Sequence, residues 1–192
     1  MKKLLLYFFG FIILASQTSC GYNEMVQKDE NVAGKWAQVQ NAYQRRADLV
    51  PNLVNTVKGA ANFEKSTLTE VIEARSRATS IQLSPENLTE ENIAKFQAAQ
   101  GQLSGSLSRL LANVEAYPEL KSNQNFLELQ AQLEGTENRI SVERMNYNEA
   151  VQDYNTYIRS FPRNFLAGSF GFERKTPFAA DPAAQRAPTV QF

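Results

Sequence analysis

The sequence contains no histidine and a single cysteine among its 192 residues. The absence of histidine excludes Ser-His and Cys-His nucleophile pairs and every metal site that needs an imidazole ligand. One cysteine excludes an intrachain disulfide and a thiolate metal cluster. Neither a glycine-rich phosphate loop nor a G-x-S-x-G sequence occurs. We therefore predict a protein that is not an enzyme and that holds no cofactor and no metal.

Proline, glycine and unbalanced charge are also scarce. The chain has 9 Gly and 7 Pro, together about 8% of its residues against roughly 12% in an average protein, which favours long helices over many short strands. Lys plus Arg and Asp plus Glu number 20 each, so the formal net charge is zero. Because no basic excess exists, we expect no nucleic-acid partner.

The N-terminal segment has the pattern of an export signal. A charged start precedes an apolar run over residues 4–15, whose helical rise of about 18 Å is short for a hydrocarbon core near 30 Å. The residues up to Cys20 resemble the lipobox of bacterial lipoproteins, although Gln17 stands where an aliphatic residue is usual. We predict a signal peptide at 1–19 and a lipid-anchored N-terminus at 20–25. The alternative is a transmembrane anchor with an incidental cysteine.

Three prolines divide the region that follows into four pieces. Pro51, Pro85 and Pro118 are the only prolines between residues 22 and 161, and proline is excluded from helix interiors but accepted in first turns. Each piece carries apolar residues at alternating spacings of three and four, which is the seam of helices packed at a shallow angle. We predict an all-α, antiparallel four-helix bundle over 26–162 with long helices and coiled-coil-like packing.

Two details of the helices follow from capping and small residues. Ser84, followed by Pro85, and Thr89 are both suitable N-caps for the third helix, and the sequence does not choose between them. Gly101 and Gly105 lie within that helix, four residues apart. Because glycine lets another backbone approach, we expect close packing inside the bundle at this point.

Several polar residues fall near the predicted seams. Our interpretation is a set of buried ion pairs and Asn side chains that fix the register of the helices. The alternative, a metal site inside the bundle, would have to be made of carboxylates alone. The residues concerned are Arg46, Asp48, Glu64, Glu115, Glu137, Arg139, Asn148 and Asn155.

A Tyr-Asn pair occurs twice in the fourth piece. Tyr147-Asn148 and Tyr154-Asn155 are seven residues apart, so both members recur on the same stripes of a helix. We expect a core of stacked rings whose hydroxyl groups reach solvent or buried partners. The alternative is an aromatic site between helices for a small apolar or glycan ligand.

The C-terminal part, residues 163–192, differs in composition from the bundle. Phenylalanines are concentrated there, and we expect them either to fold back on the end of the fourth helix or to form an exposed patch for a partner. Residues 179–188 have the composition of a disordered tail. The last four residues alternate apolar and polar side chains and could add as a strand to a partner's sheet. The candidate partner contacts are Phe165, Phe170, Phe172, Phe178 and Phe192.

From residue 22 to its C-terminus the chain resembles the LemA proteins of bacteria. The segments that carry the resemblance are RRADLVPNLV at 45–54, EAYPELK at 115–121, ENRI at 137–140, and Asn125-Phe126, Arg144, Tyr147-Asn148, Tyr154-Asn155 and Phe161-Pro162. The resemblance implies an antiparallel four-helix bundle tethered at its N-terminus to a membrane. It implies no enzymatic activity, cofactor or ligand. Many members carry a transmembrane helix where this chain has Cys20, and His-Glu where it has Phe63-Glu64.

Together these features predict a non-catalytic interaction or scaffold protein of the cell envelope. Cys20 would fix one end to a bilayer, and the bundle, extracytoplasmic and by default periplasmic, would present a face or its Phe-rich extension to a membrane-protein partner. The alternative function is a ligand-binding module that holds a small apolar or glycan ligand between its helices.

Overall fold

The computed structural model describes the backbone of residues 2–59 and 63–179, with side chains from residue 21 onward. All regular structure in this part of the chain is helical and no strand occurs in it, so the all-α prediction is confirmed. A single 3-10 turn, Pro85–Asn87, precedes the third helix. The helices are α1 Lys2–Lys58, α2 Lys65–Ser80, α3 Glu90–Val114, α4 Pro118–Lys121, α5 Gln124–Arg159 and α6 Arg163–Ser169.

The prediction that Pro51 begins a new helix is wrong, because α1 continues through Pro51 to Lys58. Proline has no N–H group, so the carbonyl of Ala47, four residues earlier, loses its helical donor. Arg75 of α2 replaces that donor, with its Nε 2.7 Å from the Ala47 carbonyl oxygen. The helix therefore tolerates the proline and ends at Lys58 instead.

The other boundaries agree better with the sequence. Thr89 is the N-cap of α3, and its side chain accepts a hydrogen bond from the Asn92 amide, whereas Ser84 precedes only the 3-10 turn. Pro118 opens the short α4. The side chain of Asn123 caps α5, because its Oδ1 accepts hydrogen bonds from the amides of Asn125 and Phe126 at 2.9 and 3.2 Å. These amides are among the donors that the start of a helix leaves without a helical partner.

The long helices pack as antiparallel neighbours. Along α1 and α5, Lys28 pairs with Asp153 at 2.7 Å, and Arg46 pairs with Glu137 at 2.8 Å, so the two helices run in opposite directions. The same holds for α2 and α3, where Thr67 faces Asn113 and the carbonyl of Ala78 faces Gln100. The 36 residues of α5 span about 54 Å.

The buried side chains fall into two groups. The aromatic half is built on the first part of α1, the start of α3, the second part of α5 and the C-terminal segment. It contains Trp36, Tyr43, Phe96, Tyr147, Tyr154 and Phe178. The aliphatic half is built on the end of α1, on α2, on the second part of α3 and on the start of α5. It contains Leu53, Val57, Leu68, Val71, Leu103, Leu107, Leu110 and Leu133.

The expected close packing at Gly101 and Gly105 does not occur. A methyl group built on Gly101 would meet no atom within 4 Å, and one on Gly105 would meet only the Arg109 side chain, at 3.8 Å. Gly101 therefore faces open space, Gly105 faces only a side chain of its own helix, and neither is required for the approach of another helix.

Among residues 21–59 and 63–179, no helix is long and apolar enough to cross a membrane. The predicted lipidation residue Cys20 belongs to the part of α1 of which only the backbone is described. Phe192 and most of the tail lie outside the described residues.

Candidate functional site

The repeated Tyr-Asn pairs of α5 hold an extended segment of the chain's own C-terminal part. We call Tyr147, Asn148, Tyr154 and Asn155 the Tyr-Asn ladder, and residues 173–179 the strap. The strap follows α6 and runs back along α5 in the direction opposite to that helix, because Asn155 binds Lys175 and Asn148 binds Phe178. The ladder thus joins helical and non-helical parts of the fold.

Each asparagine makes two hydrogen bonds to the strap's main chain. Asn148 accepts from the Phe178 amide at 2.8 Å and donates to the Phe178 carbonyl at 3.3 Å. Asn155 accepts from the Lys175 amide at 2.9 Å and donates to the Lys175 carbonyl at 2.8 Å. A primary amide side chain offers this donor and acceptor together, so each asparagine satisfies both main-chain groups of one strap residue.

The spacing of the ladder matches the spacing of the strap. Seven residues of α-helix rise about 10.5 Å. Three residues of extended chain span about 10 Å. Asn148 and Asn155 therefore meet strap residues three apart, Phe178 and Lys175, without a change of conformation in either element.

The tyrosines of the ladder are buried, with their hydroxyl groups bonded to the strap. The Tyr147 hydroxyl donates to the Thr176 carbonyl at 3.0 Å, and the Tyr154 hydroxyl donates to the Glu173 carbonyl at 2.9 Å. Burial raises the pKa of Tyr147 well above its usual value and raises the pKa of Tyr154 to about 12. The expectation of a ring core with partnered hydroxyls is therefore met at these two residues.

Phe178 fixes the end of the strap in the aromatic half. It is 4% exposed, and its ring stacks on Trp36 with centroids 5.7 Å apart and meets Tyr147 edge-on at 5.4 Å. The Arg144 guanidinium lies over the same ring at 4.9 Å. Phe178 was a predicted partner contact, but in this fold its side chain belongs to the core.

The other phenylalanines of the extension divide between core and surface. Phe172 is partly buried against the aromatic half. Phe161, Phe165 and Phe170 are 79%, 68% and 56% exposed. Phe170 contacts Tyr22 edge-on at 5.0 Å. We call Tyr22, Phe161, Phe165 and Phe170 the aromatic tip. Phe172 and Phe178 thus fold back on the bundle, whereas Phe165 and Phe170 are exposed.

A polar layer separates the aromatic half from the aliphatic half. Arg46, 2% exposed, donates through Nη1 to Ser104 at 2.6 Å and to Glu137 at 2.8 Å. Its Nη2 donates to the Gln100 carbonyl and side-chain oxygens at 3.1 and 2.8 Å. The guanidinium therefore links α1, α3 and α5 at one level, as expected for a buried charge that fixes register.

The four carboxylates that the sequence analysis placed near the seams are not buried. Asp48, Glu64, Glu115 and Glu137 are exposed, as is Arg139, so their predicted place among buried ion pairs is wrong, although Glu137 still pairs with the buried Arg46. Glu143, which the sequence analysis missed, is buried and binds Arg139 at 2.6 Å and Asn146 at 3.1 Å. Glu143 lies three residues after Ile140 and four before Tyr147, which is the spacing of a seam. This spacing could have predicted its burial from the sequence.

Because the chain has no histidine, a metal site would need a cluster of carboxylate or thiolate ligands. No group of three or more Asp, Glu or Cys side chains in the described part of the chain could hold a metal ion.

An open cleft of about 550 Å³ lies between α1, α3 and α5, lined by Tyr43, Arg46, Gln100, Glu137 and Arg144 among others. The ring of Phe63 is buried and packs against Tyr117, with the two ring centroids 5.1 Å apart.

Comparison with known proteins gives a consistent result over most of the chain. A family model described as the LemA family matches residues 35–192. Magnetosome proteins MamQ 1 and MamQ 2 of Paramagnetospirillum magneticum are each 30% identical to the chain over 179 residues, covering 84% of it and 66% of their own length. Protein LemA of Metamycoplasma hominis is 23% identical over 145 residues, covering 76% of the chain and 63% of that protein. The chain thus matches just under two thirds of the length of these relatives.

Proposed function

The chain belongs to the LemA family, and from this premise we propose that it is a membrane-tethered, non-catalytic interaction protein of the cell envelope. In this proposal α1, α2, α3 and α5 form one antiparallel bundle, anchored at the N-terminal end of α1 and extracytoplasmic. The bundle acts as a rigid support that delivers the residues after the strap to a membrane-protein partner.

The observation that carries the proposal is the fixed path of the strap. Four ladder side chains and Phe178 direct the chain from the tip back along α5. At the end of this path the Ala179 carbonyl accepts from Gln97 of α3 and Arg144 of α5, each at 3.2 Å. Ala179, the last residue that the structure describes, therefore lies at one defined point on the side of the bundle. A fixed strap lowers the entropy that a partner must remove when it binds the chain at this point.

Crosslinking in the native membrane tests this function. We would compare the full-length chain with a chain truncated after Ala179, because an earlier stop would also delete Phe178 from the core. A partner that crosslinks to the full-length chain and is lost on truncation is the expected result. A partner retained by the truncated chain would place the binding surface on the helices, and no partner in either sample would contradict the proposal.

The mode of anchoring has its own test. Mass spectrometry of the protein extracted from membranes should show an acylated Cys20 as the first residue, and the acyl mass should be absent from a Cys20→Ala variant. An unmodified Cys20 within a chain that still begins at residue 1 would contradict lipidation and favour a transmembrane anchor.

A second candidate function is the binding of a small ligand in the cleft beside the polar layer. The observation that favours it is that Arg144, which is partly exposed, lines this cleft of about 550 Å³, and a guanidinium group suits a carboxylate. Arg144→Gln would then weaken a carboxylate ligand's thermal stabilisation of the protein. If carboxylates of varied shape leave the melting temperature of the wild-type chain unchanged, this candidate fails.

A further inference from the structure

We propose that the aromatic tip makes a second contact with the membrane, in which its rings enter the headgroup region of the lipid bilayer. The inference rests on the proposed tether, because that tether brings this end of the bundle to the bilayer. It concerns a surface beyond the anchor itself, formed by the end of α5, by α6 and by Tyr22.

The tip lies at the end of the bundle from which the apolar N-terminal segment continues. The backbone of α1 is one helix from Lys2 past Tyr22. From residue 15, where the apolar run ends, to Tyr22 the helix rises about 10 Å. A headgroup region is roughly 5–8 Å thick on each side of the hydrocarbon core. Acylation at Cys20 would place the tip closer still, so either anchor brings its rings to the interface.

The chemistry of the tip suits a lipid surface. Of the eight large hydrophobic side chains that are exposed in the described part of the chain, four are those of the tip, including all three phenylalanines. Residues 159–171 contain two arginines, Arg159 and Arg163, and no acidic residue. Aromatic rings beside cationic side chains are typical of segments that lie in the interface and are favoured by anionic lipids.

The attachment of the tip to the bundle allows this contact. Ala167 of α6 is buried and Leu166 packs against the aromatic half. Phe161 and Phe165 contact each other at 6.1 Å on the opposite, exposed side. Arg163 lies over the Tyr157 ring at 4.1 Å. The short helix is thus fixed by one side, and its rings need no rearrangement to reach lipid.

Fluorescence quenching in vesicles tests the proposal. The full-length Phe165→Trp variant would be reconstituted into phosphatidylcholine–phosphatidylglycerol vesicles whose phosphatidylcholine carries bromine on the acyl chains near the headgroup. The matched control is Leu127→Trp, since Leu127 is also exposed but lies about 48 Å away from Arg159 along α5. The native Trp36 also fluoresces, but it is present in both variants. It is buried and lies about 21 Å further along α1 than Tyr22, so its contribution is the same in the two samples.

We expect the brominated lipid to quench the tryptophan of Phe165→Trp at least about twofold more than that of Leu127→Trp. Flotation of the same vesicles reports the tether separately. Protein that floats with the vesicles but shows equal quenching in both variants would overturn the tip contact and leave the tether intact. Protein that does not float with the vesicles would overturn both the tether and the tip contact.

Discussion

The aromatic half and the aliphatic half of the molecule are held together in different ways. In the aromatic half, ring side chains also act as hydrogen-bond donors: Trp36 donates to the Leu83 carbonyl at 2.9 Å, and the ladder tyrosines donate to the strap. In the aliphatic half, the buried side chains that fill the space between the helices are mostly those of Leu, Val and Ala, with two phenylalanines, Phe63 and Phe126. A core with directional donors can fix a non-helical segment, whereas a core of aliphatic side chains selects helices by complementary packing.

The polar layer at Arg46 marks the boundary between these two cores. Its hydrogen bonds reach α3 and α5 at the same level. A slip of either helix would leave a buried guanidinium without partners, which costs several kcal/mol. The layer therefore sets the register in which each half packs.

The largest effect should come from the aliphatic half. Leu110 is fully buried there, and Leu110→Ala should lower the free energy of unfolding by about 3–4 kcal/mol because it leaves a cavity among helices. Urea denaturation measures the change. The exposed Leu127→Ala should change it by less than about 0.5 kcal/mol. Equal effects of the two substitutions would contradict the assigned core.

In the aromatic half, Phe178→Ala should cost about 3 kcal/mol, since the lost ring packs against Trp36 and Tyr147. The loss of stability cannot exceed the free energy that holds the strap to the bundle, because the strap can detach without unfolding the helices. No such limit applies to Leu110→Ala. The matched control is Phe165→Ala, whose ring is exposed. A Phe178→Ala protein as stable as the control would show that the strap is not part of the core.

Removal of one ladder asparagine should have a smaller effect. Asn148→Ala deletes two hydrogen bonds to Phe178, for a loss of about 1–2 kcal/mol. Asn155→Ala should lose a similar amount at Lys175. Thermal denaturation of both variants, with the exposed Asn164→Ala as control, measures the difference. No loss in either ladder variant would contradict main-chain recognition by these side chains.

Alkaline pH should destabilise the aromatic half. Burial raises the pKa of Tyr154 to about 12 in the folded chain, against about 10 when unfolded. The unfolded chain therefore loses this proton first, and stability that is present below pH 10 is lost as the pH rises from 10 towards 12. At pH 11 the loss should be about 1 kcal/mol. Tyr154→Phe should flatten this part of the stability profile, and an unchanged profile would contradict the assignment.

The smallest expected effect is a gain. Because Gly101 is in the interior of α3 and faces open space, Gly101→Ala should stabilise the protein by about 0.5–1 kcal/mol. The melting temperature would rise slightly. A destabilised variant would contradict the open space at Gly101 and support the close helix packing that the sequence predicted.

The sequence predicted the helical faces well because their signal is local. In α1, for example, Met25, Val32, Trp36, Val39 and Tyr43 follow one another at spacings of seven, four, three and four, and all five are buried. The spacing of three and four residues reports which side of a helix is apolar without knowledge of the partner. Capping chemistry is equally local and offered Thr89 as one of two candidate caps for the third helix, and Thr89 is the one that caps it.

What the sequence missed depends on residues far apart in the chain. The continuation of α1 through Pro51 requires Arg75 of another helix. The Tyr-Asn repeat was visible, but its partner is an extended segment about twenty to thirty residues away with no periodic signal of its own. A pattern on one helix shows that a face is used, and only the fold shows what covers it.

Amide hydrogen exchange of the strap is the most direct test of the claim that this segment is a fixed part of the aromatic half. We predict that the amides of Lys175 and Phe178 exchange much more slowly than that of the exposed Arg174, because Asn155 and Asn148 accept from them at 2.9 and 2.8 Å. Asn148→Ala should remove the protection of Phe178. If all these amides exchange at unprotected rates while those of α5 remain protected, the claim is contradicted.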